Sequence, residues 1–148
     1  MENPQERQQS FFRFEDLRIY AKAVDYSKWL TSALAVPQSE AQKVMQASFL
    51  HSSYDIALNI AEGSSRAKVN FEHYLKISKT AIRECVVYTS MAEGCGMLDS
   101  EQVEVSRELL MELTRMIGAL IISVQRSLHQ RVEDADTVSP ADELNLEY

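Results

Sequence analysis

The residues best able to do chemistry lie in the stretch 66–83, where Arg66, Lys68, Lys76, Lys79 and Arg83 stand against a single acid, Glu72. Lys68, Glu72, Lys76, Lys79 and Arg83 follow three-and-four spacing, which puts them on one face of a helix. Phe71 and Tyr74 interleave with them. A line of cations with nearby rings is suited to nucleic acid, whose affinity for proteins comes largely from neutralised phosphates. The competing reading is a solvated helical face opposite the core, with the rings packed inside. Spacing alone favours the second.

Two further groups have chemical potential. Asn59 and Glu62 flank the end of a helical stretch, either as a binding site or as groups that tie the helix exit to a neighbour by hydrogen bonds. Glu84 lies mid-helix beside Cys85. If it is buried, it needs a partner such as an arginine, because an unpaired buried carboxylate is costly.

Other chemistry lacks a foundation. The three histidines are His51, His73 and His129, and none follows a Glu at the i−3 position, so the di-iron motif of helical bundles is missing. No His-Glu-x-x-His, calcium-loop or Cys-His pattern occurs, and no metal or cofactor is expected. Gly, with 4 residues, is too scarce for a phosphate-cradling loop. Cys85 falls at a core position as a small hydrophobe, whereas Cys95 sits in a loop with no histidine nearby. Both read as reduced thiols of a cytoplasmic protein. The chain is not expected to be an enzyme or to take a small-molecule substrate.

Charge and hydropathy support the same view. The net charge is −7, but six of the 22 acids fall in 132–148, which has no Lys or Arg. The body is therefore close to neutral, without the strong basicity that marks many nucleic-acid-binding domains. The polar start, Met1 to Arg7, has no signal-peptide core. The longest apolar run, 118–124, falls far short of a membrane span.

Few Gly and Pro residues and long apolar periodicity imply long helices. We expect a loose segment at 1–13, a bundle over 14–131 and a disordered acidic tail at 132–148. A first helix is expected over 15–35. Leu17, Tyr20, Ala21, Val24, Lys28 and Thr31 lie on one of its faces, with Trp29, Leu30 and Leu34 alongside, and Pro37 follows. Ser39 and Gln42 form a capping box that opens a second helix. That helix has one apolar face at Val44, Ala47, Leu50, Tyr54, Ala57, Leu58 and Ala61 and another at Met45, Phe49, Ile56 and Ile60. Gly63 should stop it in the left-handed conformation. A third helix, 67–92, carries Phe71, Tyr74, Leu75, Ser78, Ile82, Cys85, Tyr88 and Thr89. The Ala-Glu-Gly endings at Gly63 and Gly94 read as one helix stop used twice. Asp99 and Gln102 open a fourth helix, 100–131, with a seam at Val103, Leu110, Leu113, Ile117, Leu120, Val124 and Leu128.

The expected fold is all-α, an antiparallel up-down-up-down four-helix bundle. The second and fourth helices are apolar over more than the arc of about 100° that a bundle core uses. A second subunit should cover the excess. In a ring, the basic stripe would repeat and weak contacts would add.

These residues also resemble a known bacterial family. Phe14-Glu15-Asp16-Leu17-Arg18-Ile19-Tyr20-x-Lys22-Ala23 resembles its F-E-D-L-x-x-W/Y-x-K-A opening. Asn59-Ile60-Ala61-Glu62-Gly63 matches the end of its S-I-x-x-N-I-A-E-G signature. Phe71-x-x-Tyr74-Leu75-x-Ile77 with Lys79 and Glu84, and Leu113-x-x-Met116-Ile117-x-x-Leu120-Ile121, resemble its later helices. The family comprises proteins encoded in intervening sequences of 23S ribosomal RNA genes and is related to accessory variability determinants of diversity-generating retroelements. The resemblance implies a four-helix bundle assembled as a ring-like pentamer. For the retroelement members it also implies binding to a reverse transcriptase and to RNA or DNA. The chain departs from the pattern at His51-Ser52-Ser53-Tyr54, where the family often carries paired basic residues, and at Thr80-Ala81, where it carries Gly-Ser. On this reading the chain is a non-enzymatic scaffold that binds RNA or a reverse-transcriptase complex. The alternative is a protein–protein module without nucleic-acid contact, with the tail end Glu143 to Tyr148 as a docking peptide or a solvating chain.

Overall fold

The computed structural model describes residues 10–137. A short 3-10 turn, Arg13–Asp16, precedes four helices: α1 (Arg18–Ala33), α2 (Glu40–Ser64), α3 (Lys68–Gly94) and α4 (Ser100–Thr137). No strand occurs among the described residues. The connections, 34–39, 65–67 and 95–99, are too short to cross the bundle, so successive helices pack antiparallel.

Hydrogen bonds fix the register. Tyr26 meets Ser106, and the Gln102 amide reaches the Ala33 carbonyl, so α1 and α4 run in opposite directions. Ser52 with Glu84 and Ser78 with the Ile56 carbonyl do the same for α2 and α3. Lys68 with Ser127 and Thr89 with Ser106 do so for α3 and α4. Each helix packs on its chain neighbours, and α1 closes the bundle against α4.

Both expected caps form, in different ways. The Gln42 N–H donates to Ser39 Oγ at 3.1 Å, but the Gln42 side chain accepts from Gln38 N and not from Ser39 N. Asp99 and Gln102 make the full reciprocal pair, with bonds of 2.8 and 2.9 Å.

The first helix starts later than expected because Leu17 is extended and separates the 3-10 turn from α1. Its buried line is Ile19, Ala23, Tyr26 and Leu30. Tyr20, Val24, Lys28 and Thr31, from the face singled out in the sequence, line a surface groove instead. On α2 the core takes the second of the two apolar faces, with Phe49, Ile56 and Ile60 buried beside Ser52 and Ser53. The cores of α3 and α4 follow the expected spacing, with Leu75, Ser78, Ile82, Cys85 and Thr89 facing Leu110, Leu113, Ile117 and Val124. Met97 and Leu98, in the last loop, plug one end of the core; their N–H groups both bond the Ala92 carbonyl.

The two Ala-Glu-Gly endings are not one device. Gly63 is helical and buried within α2, and a Cβ there would come within 2.6 Å of Tyr74 Cβ. It is a glycine because α3 presses against it. Gly94 closes α3 with open space around it. The left-handed residue is Gly96, at φ 77°. Helix α4 also continues beyond the expected end at 131 to Thr137, so the first part of the acidic segment is helical. The rest of that segment, and the start of the chain up to residue 9, lie outside the described residues.

Candidate interaction surfaces

The start of the basic stripe, at Lys68 and Glu72, lies on the flank where α3 meets α4, whereas Arg66 stands in the α2–α3 connection. Lys68 donates to Ser127 Oγ of α4, and Glu72 accepts from the Gln125 amide at 2.8 Å. Lys76 pairs with Glu72 at 3.0 Å. The Gln125 hydrogen bond, and after it Lys76, holds the Glu72 carboxyl below the usual carboxylate range. Arg66 pairs with Glu62 and lies 5.6 Å from the centre of the Tyr74 ring. Three of the five cations are therefore engaged within the chain. Lys79 and Arg83, one helical turn apart, have no acidic partner among the described residues. Of the interleaved rings, only Tyr74 meets a cation of the set, Arg66. Phe71 and Tyr74 are half-buried, turned toward Gly63 of α2.

The signature residues separate by direction. Ile60 and Gly63 enter the core, and Ala61 lines the groove. Asn59 donates to the Asp55 carbonyl at 2.8 Å, within its own helix, while Glu62 takes Arg66. Neither ties the helix exit to another helix. Glu84 is exposed, not buried, and its partner is Ser52 Oγ at 2.7 Å, not an arginine.

The second surface is a groove of about 570 Å³ between α1 and α2. Phe14, Tyr20, Val24, Lys28 and Thr31 form one wall, and Tyr54, Ala57, Leu58 and Ala61 the other. Phe14 and Tyr20 meet edge to face at 5.0 Å, and the ring series continues outward through Phe12 and Phe11. The lining is mostly apolar, with Lys28 and the hydroxyl-bearing Tyr20, Ser27, Thr31 and Tyr54 among it, a surface suited to packing. The sequence carried a signal for this groove in the leftover apolar face of α2. Phe11 and Phe12 passed unnoticed within a segment read as loose.

Among the described residues, no group of three His, Cys, Asp or Glu side chains converges as a metal site would require. Burial, with help from Glu84 and Asp55, pushes the Cys85 thiol up to about 12. It is therefore a neutral core residue at physiological pH. Cys95 is exposed and unpaired with another thiol. No described helix is long and apolar enough to cross a membrane.

A family model for the 23S rRNA-intervening sequence protein matches residues 15–119. The chain belongs to that family. The match takes in α1, α2, α3 and the first half of α4, so the groove walls beyond Phe14 and the whole basic stripe lie within the family region. The chain continues past the match through the second half of α4, which still packs on the core at Ile121 and Val124. No curated protein matches it.

Proposed function

We propose that this intervening-sequence protein is a non-enzymatic scaffold that assembles with copies of itself and presents a repeated basic face to RNA. The apolar groove between α1 and α2 carries the reading. The core is complete without it, yet Leu58 remains 62% exposed and Val44 65% exposed on the same α2 face. Exposed apolar patches of this kind mark interaction surfaces. The resemblance favours a closed ring of five. Solution mass tests the assembly: a species at a multiple of 16.8 kDa supports it, and a single chain at micromolar concentration refutes it.

RNA contact rests on Lys79 and Arg83, the two stripe cations without an acidic partner among the described residues. Binding should weaken with salt. The double substitution Lys79→Glu and Arg83→Glu should lower the slope of log K against log salt by about 1.4 for each engaged subunit on single-stranded RNA. A slope that those substitutions leave unchanged removes RNA from the reading.

The engagement of Arg66, Lys68 and Lys76 by Glu62, Ser127 and Glu72 favours a second reading. In it the assembled protein binds another protein, such as a reverse-transcriptase complex, without touching nucleic acid. Salt-insensitive capture of that protein, with no RNA retained, would favour this reading over the first.

A further inference from the structure

The groove has a counterpart on the same chain. Phe11 is 92% exposed and Phe12 is 56% exposed, at the head of the ring series that ends in the groove wall. Two adjacent phenylalanines in water are unfavourable unless something covers them. Resting on the assembly reading above, we propose that Phe11 and Phe12 of one copy seat in the α1–α2 groove of a second copy, head to tail.

The arm is already shaped for docking. The Ser10 N–H donates to Asp16 Oδ1 at 3.4 Å, and Ser10 Oγ donates to Glu15 Oε1 at 3.0 Å. The Glu15 N–H closes the turn on the Phe12 carbonyl at 3.0 Å. Phe11 sits edge-on to Phe12 at 5.1 Å, and Phe12 lies 5.9 Å from Phe14. A segment fixed in this way loses little entropy on binding.

The same contacts oppose closure onto the chain's own groove. Phe14 already forms one end of that groove, and the series runs outward from it. To fold back, the arm would have to release Ser10 from both carboxylates. A groove on another copy requires no such release. Charge agrees with this direction, because Glu15 and Asp16 travel with the arm and Lys28 lines the groove.

The arm alone is a small contact: with Phe11 92% and Phe12 56% exposed, about one and a half aromatic side chains remain to be covered, roughly 220–370 Å² at about 150–250 Å² each. They cover a similar area of the receiving wall, and the rest of the roughly 1,200 Å² of a small stable interface must come from the two bodies meeting around the groove. Because arm and groove are different patches, the contact is heterologous. Repetition then gives a closed ring if the rotation closes and a filament if it does not.

The test uses the full chain and two variants at exposed positions. One is Phe11→Ser with Phe12→Ser, and the other is Leu58→Glu. Far-UV circular dichroism confirms that each is folded, and sedimentation gives its mass. Wild type should assemble, and each variant alone should fall to 16.8 kDa. An equimolar mixture should form a species of twice that mass, because one variant keeps an intact groove and the other an intact arm. A single-chain wild type would overturn the assembly reading and this inference with it. An assembled wild type with an equally assembled arm variant would overturn the arm alone. Variants that are single chains both alone and mixed would also overturn it, since a head-to-tail contact must complement.

Discussion

Three buried hydroxyls tie α1, α3 and α4 together, and their proton order sets a stability ranking. Thr89 Oγ1 lies 2.7 Å from the Cys85 carbonyl and 2.8 Å from Ser106 Oγ, and Ser106 Oγ lies 2.9 Å from the Tyr26 hydroxyl. A carbonyl only accepts, so Thr89 spends its proton there. Ser106 must then donate to Thr89, and Tyr26 to Ser106. Ser106→Ala removes the acceptor of a phenol in a residue that is 1% exposed, which costs about 1–3 kcal/mol for the stranded donor. Tyr26→Phe strands no donor and costs about 0.5–1.5 kcal/mol. The double substitution strands nothing, so it should cost less than the two single costs added together. Urea unfolding monitored by circular dichroism measures all three at fixed protein concentration. If Tyr26→Phe costs more than Ser106→Ala, or if the double substitution is additive, the proton order is wrong.

Gly63→Ala should destabilise by about 1–3 kcal/mol, because the new Cβ meets Tyr74 and Phe71, whereas Gly118→Ala, with open space around it, should stabilise by about 0.5–1 kcal/mol. Thermal melts of the two variants would show the opposite signs. With a thiol reagent at pH 8, Cys95 should react at once and Cys85 only as the fold opens; rapid reaction of two thiols per chain would contradict the burial argument. Stability should also fall at alkaline pH. The Cys85 thiol ionises near its ordinary 9.0 in the unfolded chain, but in the fold it stays neutral to about 12. Its contribution is therefore full below pH 9 and is lost as pH climbs toward 12, at about 1.4 kcal/mol per pH unit. Burial raises the Tyr26 phenol in the same sense. Cys85→Ala should flatten the pH slope of the urea midpoint, and an unchanged slope would exclude the thiol as its source.

The fold class was legible because it depends on periodicity, which survives in a single sequence. Helices α3 and α4 show this best, with core residues close to the expected set, although α4 carries further apolar residues, Val105, Met111 and Ile122, outside its core line. The inward face of α1 was harder to read, because the buried line Ile19, Ala23, Tyr26 and Leu30 runs directly beside a second apolar line that includes Tyr20 and Val24. Gly63 was read as a helix stop because a glycine after Ala-Glu fits a C-terminal cap equally well. Only the closeness of Tyr74 reveals its packing role. The stripe was visible as charge spacing, and the acids that pair with Arg66 and Lys76, Glu62 and Glu72, lie at local i,i+4 positions. The hydrogen bonds of Lys68 to Ser127 and of Gln125 to Glu72 were not legible, because they reach a helix some 55 residues away and no local pattern encodes them.

Helix α2 explains why the second surface was both signalled and misplaced. Its inward face carries Ser52, Ser53 and Gly63, and its outward face carries Val44, Tyr54 and Leu58. Buried hydroxyls need partners, and an exposed leucine such as Leu58 gains nothing from water. The inward serines are satisfied: Ser52 by Glu84, Ser53 by the Leu50 carbonyl, with Ser78 of α3 bonding the Ile56 carbonyl opposite. Small side chains at these points let α2 and α3 approach closely, and Phe49, Ile56 and Ile60 fill the core between them. Val44, Tyr54 and Leu58 stay outside that core; Tyr54 and Leu58 line the groove whose other wall is α1, and Phe11 and Phe12 are exposed at its head. If the proposed assembly forms, these exposed side chains of α2 should lose accessibility in it, whereas Phe49, Ile56 and Ile60 are already covered within one chain.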